Sequence, residues 1–468
     1  MKKYLVIIAL ILSAIAIGAY FFVFDKKDIC KNVIPQDAKA VLVIDAKQAL
    51  KQLDFSISDI FKALKHQEAD EKKDWGIDML SPVYGFVSAD NYMCTVFALS
   101  DAEDFEERIK GENIPVESQR GFKWVNKGEF LLCFDGDKAL AIGPVTKTES
   151  DGMRGKMVEW MKQGSHKIPV LSSLKSNNDV IALRSTLGVL PSTFTKQITD
   201  NLADVSLDDI FLNATLNVKE RSFLLSTEVE SQDKKFSKFS SEIDNFLRPI
   251  DGETLPACMD APLFRAVVNV DGDRVLSKLR ENPIVRMTLI GLSLCIDTDM
   301  MIKAIDGDVL LEFAGRSIAS PSFVASARVK NQDFLRNAKD WCSGSSALGY
   351  ICQAFDDKNF VLQNGGSKFF FGVHDDFLYL SSDNRNTLQF STPGSVNTIS
   401  QEQVHGKRLY ASIDVNKMYE FVNGSRTESD NSPVGLDHLN VSATGFGQFQ
   451  VELTTKGRAV DAIKQLLK

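Results

Sequence analysis

Apolar residues fill Val41–Ile44, Asp45 breaks the run, and Ala49, Leu50 and Leu53 return at helical spacing. This pattern predicts a short buried strand, a carboxylate N-cap and a helix laying one face back on the sheet. The design recurs in RAVVNVDGDRVLSKL at Arg265–Leu279, where Asp271 precedes Val275, Leu276 and Leu279. Set against KAVLVIDAKQALKQL at Lys39–Leu53, residues Ala40, Val41, Asp45, Leu50 and Leu53 match Ala266, Val267, Asp271, Leu276 and Leu279 without a gap. Asp414 in RLYASIDVNKMYEFV predicts a third strand–cap–helix unit, and Ser185 in DVIALRSTLGVL a fourth.

Other landmarks keep one order. Asp104, Phe105 and Lys110 in DAEDFEERIK match Asp333, Phe334 and Lys339 in KNQDFLRNAK, each after a strand-like run. EFLLCFDGDKALAIG then resembles KFFFGVHDDFLYLSS, two apolar hairpins turning at Asp135–Asp137 and His374–Asp376. A further hairpin and a helix close each series, at Phe236–Phe246 and Arg458–Leu467. The pattern therefore predicts an α+β fold of two tandem related halves, an internal duplication. Each half is a mixed, mostly antiparallel sheet with packed helices. Three prolines and a glycine in PIDGETLPACMDAP, Pro249–Pro262, set the seam. The halves are placed at residues 34–250 and 260–468, within the usual domain range.

Tyr4–Phe24 carries no charge and follows Met1-Lys2-Lys3. As a helix it reaches about 31 Å, enough for a bilayer core. Residues 1–24 are therefore expected to form a signal-anchor, a transmembrane helix, joined by a linker at 25–33 to an extracytoplasmic, periplasmic body. Ala14-Ile15-Ala16 leaves a cleaved signal as the alternative. Lysines flank both sides of the run, at Lys2 and Lys3 and at Lys26, Lys27 and Lys31, so the positive-inside count does not decide orientation.

The net charge of −8 comes with no basic stripe, which argues against a nucleic-acid partner. Seven cysteines are spread without zinc-type spacing; Cys342 and Cys352 could close a short loop in an oxidising compartment. The five histidines, His66, His166, His374, His405 and His438, lie far apart, and none has a metalloprotease partner at i+4. His374 with Asp375 and Asp376 reads as an exposed hairpin turn in preference to a metal cluster. Ser172-Ser173-Leu174-Lys175 has the Ser-x-x-Lys spacing but lacks its companion elements. Asp297-Thr298-Asp299 and Asp306-Gly307-Asp308 do not fit a calcium-loop register. No catalytic, cofactor-binding or metal residue is nominated, and no cofactor.

Ile34–Leu50, IPQDAKAVLVIDAKQAL, resembles the Pro-x-Asp-Ala start of an uncharacterised domain-of-unknown-function family of cell-envelope proteins from Bacteroidales. DVIALRSTL and the hairpin ATLNVKERSFLLSTEVES are similar to its middle. The resemblance covers Ile34 to the C-terminus and transfers no catalytic residue. It implies lipoprotein-like relatives, from which this chain departs because Cys30 follows Asp28-Ile29 and has no lipobox. The expected role is a non-catalytic binding or scaffold protein of the envelope. It touches the membrane through residues 4–24 and takes an unknown protein or small ligand. The alternatives are an envelope hydrolase acting on a cell-wall or glycan substrate through Asp or Glu, and a structural or assembly protein.

Overall fold

In the computed structural model, the described residues are 29–468 apart from 53–74, 165, 167, 173–178, 203, 253–261, 294–295, 316–320, 339, 342–350, 366, 383–399, 424–434 and 467–468. They fall into two compact units, Met1–Lys196 with Phe211–Asn213, and Gln197–Ile210 with Ala214–Lys468.

The first unit carries β1 (Ala40–Ile44), β2 (Val83–Val87), β3 (Met93–Ala98), β4 (Val116–Gln119), β5 (Phe122–Lys127), β6 (Phe130–Phe134), β7 (Lys138–Gly143) and β8 (Ile181–Thr186). Its helices are α1 (Ala46–Gln52), α2 (Ala102–Gly111) and α3 (Ser150–Lys162). Strand β1 lies between β2 and β8, with Leu42 opposite Gly85 on one side and Leu183 on the other. The ladder continues β2–β3–β7, and β4 to β7 form a meander.

Side-chain alternation gives this sheet two apolar faces. Trp124, Cys133, Leu140 and Ile142 face a core shared with Met153, Met157, Trp160 and Met161. Those four recur at helical spacing on α3, which is why one stripe of that helix is buried. Val125, Phe134 and Ala139, their immediate neighbours, pack instead with Phe105 and Ile109 of α2. Each valine, leucine, isoleucine, phenylalanine or methionine among them, fully buried, contributes about 1.5–3 kcal/mol.

The strands of the second unit begin with β9 (Ile210–Lys219), three residues of which are counted with the first, and β10 (Ser222–Ser231). Next come β11 (Leu247–Arg248), β12 (Phe264–Asp271), β13 (Ile305–Gly315) and β14 (Pro321–Val329). A meander of β15 (Ile351–Ala354), β16 (Asn359–Asn364), β17 (Ser367–His374) and β18 (Phe377–Ser381) follows. The last strands are β19 (Leu409–Asp414), β20 (Leu436–Gly445) and β21 (Gln448–Thr455). Strand β12 lies between β13 and β19, and β14 pairs β18. Helices α4 (Gly272–Glu281), α5 (Pro283–Ser293) and α6 (Thr298–Ala304) fill the β12–β13 connection.

The aspartate caps form where the pattern places them. Asp45 accepts from the Gln48 N–H at 2.9 Å, and Asp271 from those of Asp273 and Arg274 at 3.0 and 3.3 Å. Asp414 accepts from the Asn416 and Lys417 N–H groups at 3.1 and 3.0 Å. Ser185 does not cap a helix. Its hydroxyl donates to the Thr186 carbonyl at 2.9 Å, and a three-residue 3-10 turn follows β8.

The expected fold class is corrected on three counts. The strands are not divided between two tandem halves with a sheet each: all twenty-one belong to one sheet. That sheet is not mixed, because every described ladder is antiparallel. Finally, no helix among the described residues is long and apolar enough to cross a membrane. The Tyr4–Phe24 segment expected to do so lies outside the described residues, as does 253–261 within the expected seam. Local strand–cap–helix chemistry specified the pieces, but which strands share a sheet depends on pairings made far apart in sequence.

Candidate binding site

Three segments of the first unit surround a cavity of about 590 Å³. Pro35, Gln36 and Asp37 come from the turn before β1, and Ser88, Ala89 and Asp90 from the β2–β3 turn. Lys156, Glu159, Trp160 and Gln163 come from α3 and its C-cap, with Gly164 and His166 just beyond. The sequence brings these together for simple reasons. The α3 stripe that buries Met157 and Trp160 turns Lys156 and Glu159 toward the rim. The β2–β3 hairpin turns through Asn91, whose φ of 68° is left-handed, a conformation asparagine tolerates.

Polar contacts hold this wall in shape. Ser88 Oγ accepts from the Tyr92 N–H at 3.2 Å, and Lys39 Nζ donates to Asn91 Oδ1 at 3.0 Å. Lys156 pairs closely with Asp90, and that hydrogen bond raises the lysine pKa, with Asp37 adding to the effect. His166 bridges two carbonyls, with Nδ1 2.9 Å from Gly164 O and Nε2 2.9 Å from Ile34 O. Ile34 is fully buried, so this contact ties the helix exit to the core. At the base of α3, the Glu149 carboxyl is held below its usual range by the Thr146 hydroxyl, which donates at 2.6 Å.

One group in the wall is left over. The side-chain oxygen Oε1 of Gln163 is buried and has no hydrogen-bond partner among the described residues. Native structures rarely leave such an acceptor unmet, since doing so costs about 1–3 kcal/mol.

A second cavity of about 590 Å³ lies between α2 and the β4–β5 and β6–β7 turns. Two of its carboxylates are held from within the wall. Glu106 sits 2.6 Å from Lys110 and 3.3 Å from Lys123, and the Lys110 hydrogen bond leads in lowering its carboxyl pKa. Asp135 accepts from the Asp137 and Lys138 N–H groups.

The structure scatters the motifs weighed from sequence. His374 ends β17 and Asp375, at φ 51°, opens the two-residue turn to β18, where the hairpin turn was expected. Asp297 N-caps α6, and Asp299 in its first turn pairs with Arg280. Asp308 is buried under Asp251, Gly252 and Asn269. Ser172 ends a four-residue helix, while Lys175 lies outside the described residues. Cys352 is disulfide-bonded. Cys30, Cys94 and Cys133 are buried thiols outside any disulfide; burial pushes the Cys94 and Cys133 thiols up to about 12. Cys342, like Cys258 and Cys295, lies outside the described residues. Among the described residues no three His, Cys, Asp or Glu side chains converge as metal ligands do.

Sequence reasoning passed over Gln163 and His166. The one available signal was the polar string Gln163-Gly164-Ser165-His166 directly after an apolar helical stripe.

A family model described as a domain of unknown function, DUF4836, matches residues 30–423. No curated protein matches the chain. Among solved structures the chain is similar to TP0453 in crystal forms IV, III and I, at 12%, 13% and 11% identity. These matches cover 46% of this chain and 84%, 87% and 86% of the other, with TM-scores of 0.28, 0.28 and 0.27. Likeness at that level carries no argument about fold or role.

Proposed function

We propose, for a chain that belongs to the DUF4836 family of unknown function, a non-catalytic role in binding a small polar ligand in the Gln163 cavity. The observation that carries this reading is a cavity large enough for a small solute, walled by polar side chains of three separate segments and by the Trp160 ring. In the second cavity Glu106 is already held by Lys110 and Lys123.

The reading includes an extracytoplasmic place in the cell envelope, with the apolar stretch 4–24 as the membrane contact. The disulfide at Cys352 supports it, because such bonds persist where thiols are oxidised. Proteolysis of intact spheroplasts from outside should degrade the body; a protected body would contradict this placement.

The binding role is tested by a thermal-shift screen of small polar solutes on the full chain and on Ala89→Trp, which fills the mouth from an exposed turn position. At least one solute should raise Tm in the parent and leave the plugged variant unmoved. If no solute shifts the parent, or the shift survives the plug, the cavity is not the binding site.

A further inference from the structure

We infer that the open apolar face of the second unit's sheet takes the acyl chain of a membrane phospholipid. This site belongs to the other unit from the Gln163 cavity; only the source of the lipid rests on the reading of residues 4–24 as a membrane contact. Directly opposed positions build one row across eight neighbouring strands. Leu225 lies opposite Val451, Val451 opposite Val441, Val441 opposite Ala411, and Ala411 opposite Ala266. The row goes on through Leu311, Ala325 and Leu380. The flanking rows, Phe223 to Phe323 and Phe449 to Leu378, are apolar at every position as well.

An antiparallel sheet with one wet face alternates apolar inward and polar outward. Here the polarity is reversed. The opposite face of the same strands carries Glu452, Asn440, Ser412, Arg265 and Glu312 in register, and the Glu312 side chain has no solvent exposure. On the apolar side none of the eight row residues is buried, and Leu225, Leu311 and Leu380 are 38%, 42% and 42% exposed. None of the eight joins a buried core cluster. A contiguous apolar surface left open in this way marks a binding face, because covering it removes carbon from water.

The face selects its occupant. Its rows hold no charge and no hydrogen-bonding side chain, and the backbone groups between them are engaged in the ladders. A peptide laid over it would leave its own N–H and C=O groups unmet, whereas a hydrocarbon chain has none to lose. Strands about 4.8 Å apart and rows about 7 Å apart give the face roughly 500 Å². A stable complex between two copies takes about 800 Å² from each. The helix Val415–Asn423 also stands on this face, with the Phe421 ring edge-on to Phe313 at 5.5 Å between centroids. It keeps a second sheet from the approach of about 10 Å that face-to-face packing requires. No described side chain of that helix is buried, so it covers the face loosely, and a chain one methylene wide fits beside it.

Photolabelling tests the inference. The full chain is reconstituted in vesicles of phosphatidylethanolamine and phosphatidylglycerol, doped with phosphatidylcholine that carries a diazirine at the end of one acyl chain. Label should map to peptides of β10, β12–β14 and β19–β21. Leu311→Glu should lower that labelling about five-fold or more, while Gln450→Glu, exposed on the opposite face, should leave it unchanged. Circular dichroism checks that both variants fold, and the map on the parent stands without them. Undiminished labelling of a folded Leu311→Glu overturns the inference. Label confined to residues 4–24 overturns it and leaves the membrane contact standing; label on neither region overturns both. A dimer in light scattering that Leu311→Glu splits would give the face to a second copy and overturn the lipid assignment.

Discussion

In the second unit the Asp308 carboxylate is 6% exposed and accepts from the Asp251 N–H, the Gly252 N–H and the Asn269 side-chain amide at 3.1, 2.7 and 2.7 Å. In the first unit the Gln163 oxygen is also hidden from solvent, yet it accepts from nothing among the described residues. The contrast separates two uses of a buried polar atom. Where both oxygens are met, the group fixes the backbone around it: Asp308 pins Asp251 and Gly252. Where an acceptor is unmet, folding has left a cost standing. The Arg265–Glu312 pair belongs with the first kind. Its carboxylate has no solvent exposure, and Arg265 donates to it at 2.6 Å between paired strands β12 and β13.

The largest break in this contrast should come from Glu312→Ala. It leaves the Arg265 charge largely buried without its carboxylate, at a cost of about 3–5 kcal/mol. Urea titration of the variant should show that loss as a lower midpoint; a change under 1 kcal/mol would mean that this pair does not hold the second unit together.

Asp414→Ala comes next, at about 1 kcal/mol for the lost cap. This cap is also pH-dependent. Burial by itself would raise the Asp414 carboxyl, but the Lys417 N–H and ammonium outweigh it and hold the group below the ordinary range. A carboxyl lowered by folding stabilises fully above its unfolded value, and that stabilisation fades as pH falls through the folded value. The parent should therefore lose stability relative to Asp414→Asn as the solution is acidified below about pH 4. Parallel curves for the two proteins would show that the carboxylate charge is irrelevant.

Smallest, and opposite in sign, is Gln163→Leu. Removing an unmet acceptor should leave the ligand-free protein unchanged or up to about 1 kcal/mol more stable. A loss above 1 kcal/mol in the same urea titration would show that Gln163 belongs with Asp308, as a group the fold needs.

A second contrast concerns the residue after the cap. Asp45 is followed by Ala46, and Asp271 by Gly272, although both open helices on strands flanked on both sides. At Gly272 a Cβ would overlap the Ile302 carbonyl at the end of α6, so the close approach of α6 to α4 requires glycine there. Helices α5 and α6 are packed into the β12–β13 connection, and the sequence comparison alone gave no reason for that exchange. Helix α5 also shows Ile284, Met287 and Ile290 at 78%, 66% and 54% exposure, an apolar stripe that periodicity reads as core. Period and composition cannot say which apolar face finds a partner.

Asp45, Asp271 and Asp414 were legible as caps because a cap is settled within four residues of chain, by one carboxylate and the N–H groups just ahead of it. The Asp135–Asp137 and His374–Asp376 turns were legible for the same reason, each lying between two apolar runs of strand length. The sequence by itself therefore determined these caps and turns. Tertiary structure alone decided that the strands join one antiparallel sheet, and that His166 reaches Ile34 across 132 residues. It also decided that Gln163 stops beside a cavity with its oxygen unmet. Sheet membership and an unmet lone pair are sums over distant neighbours, and no window of adjacent residues contains those terms.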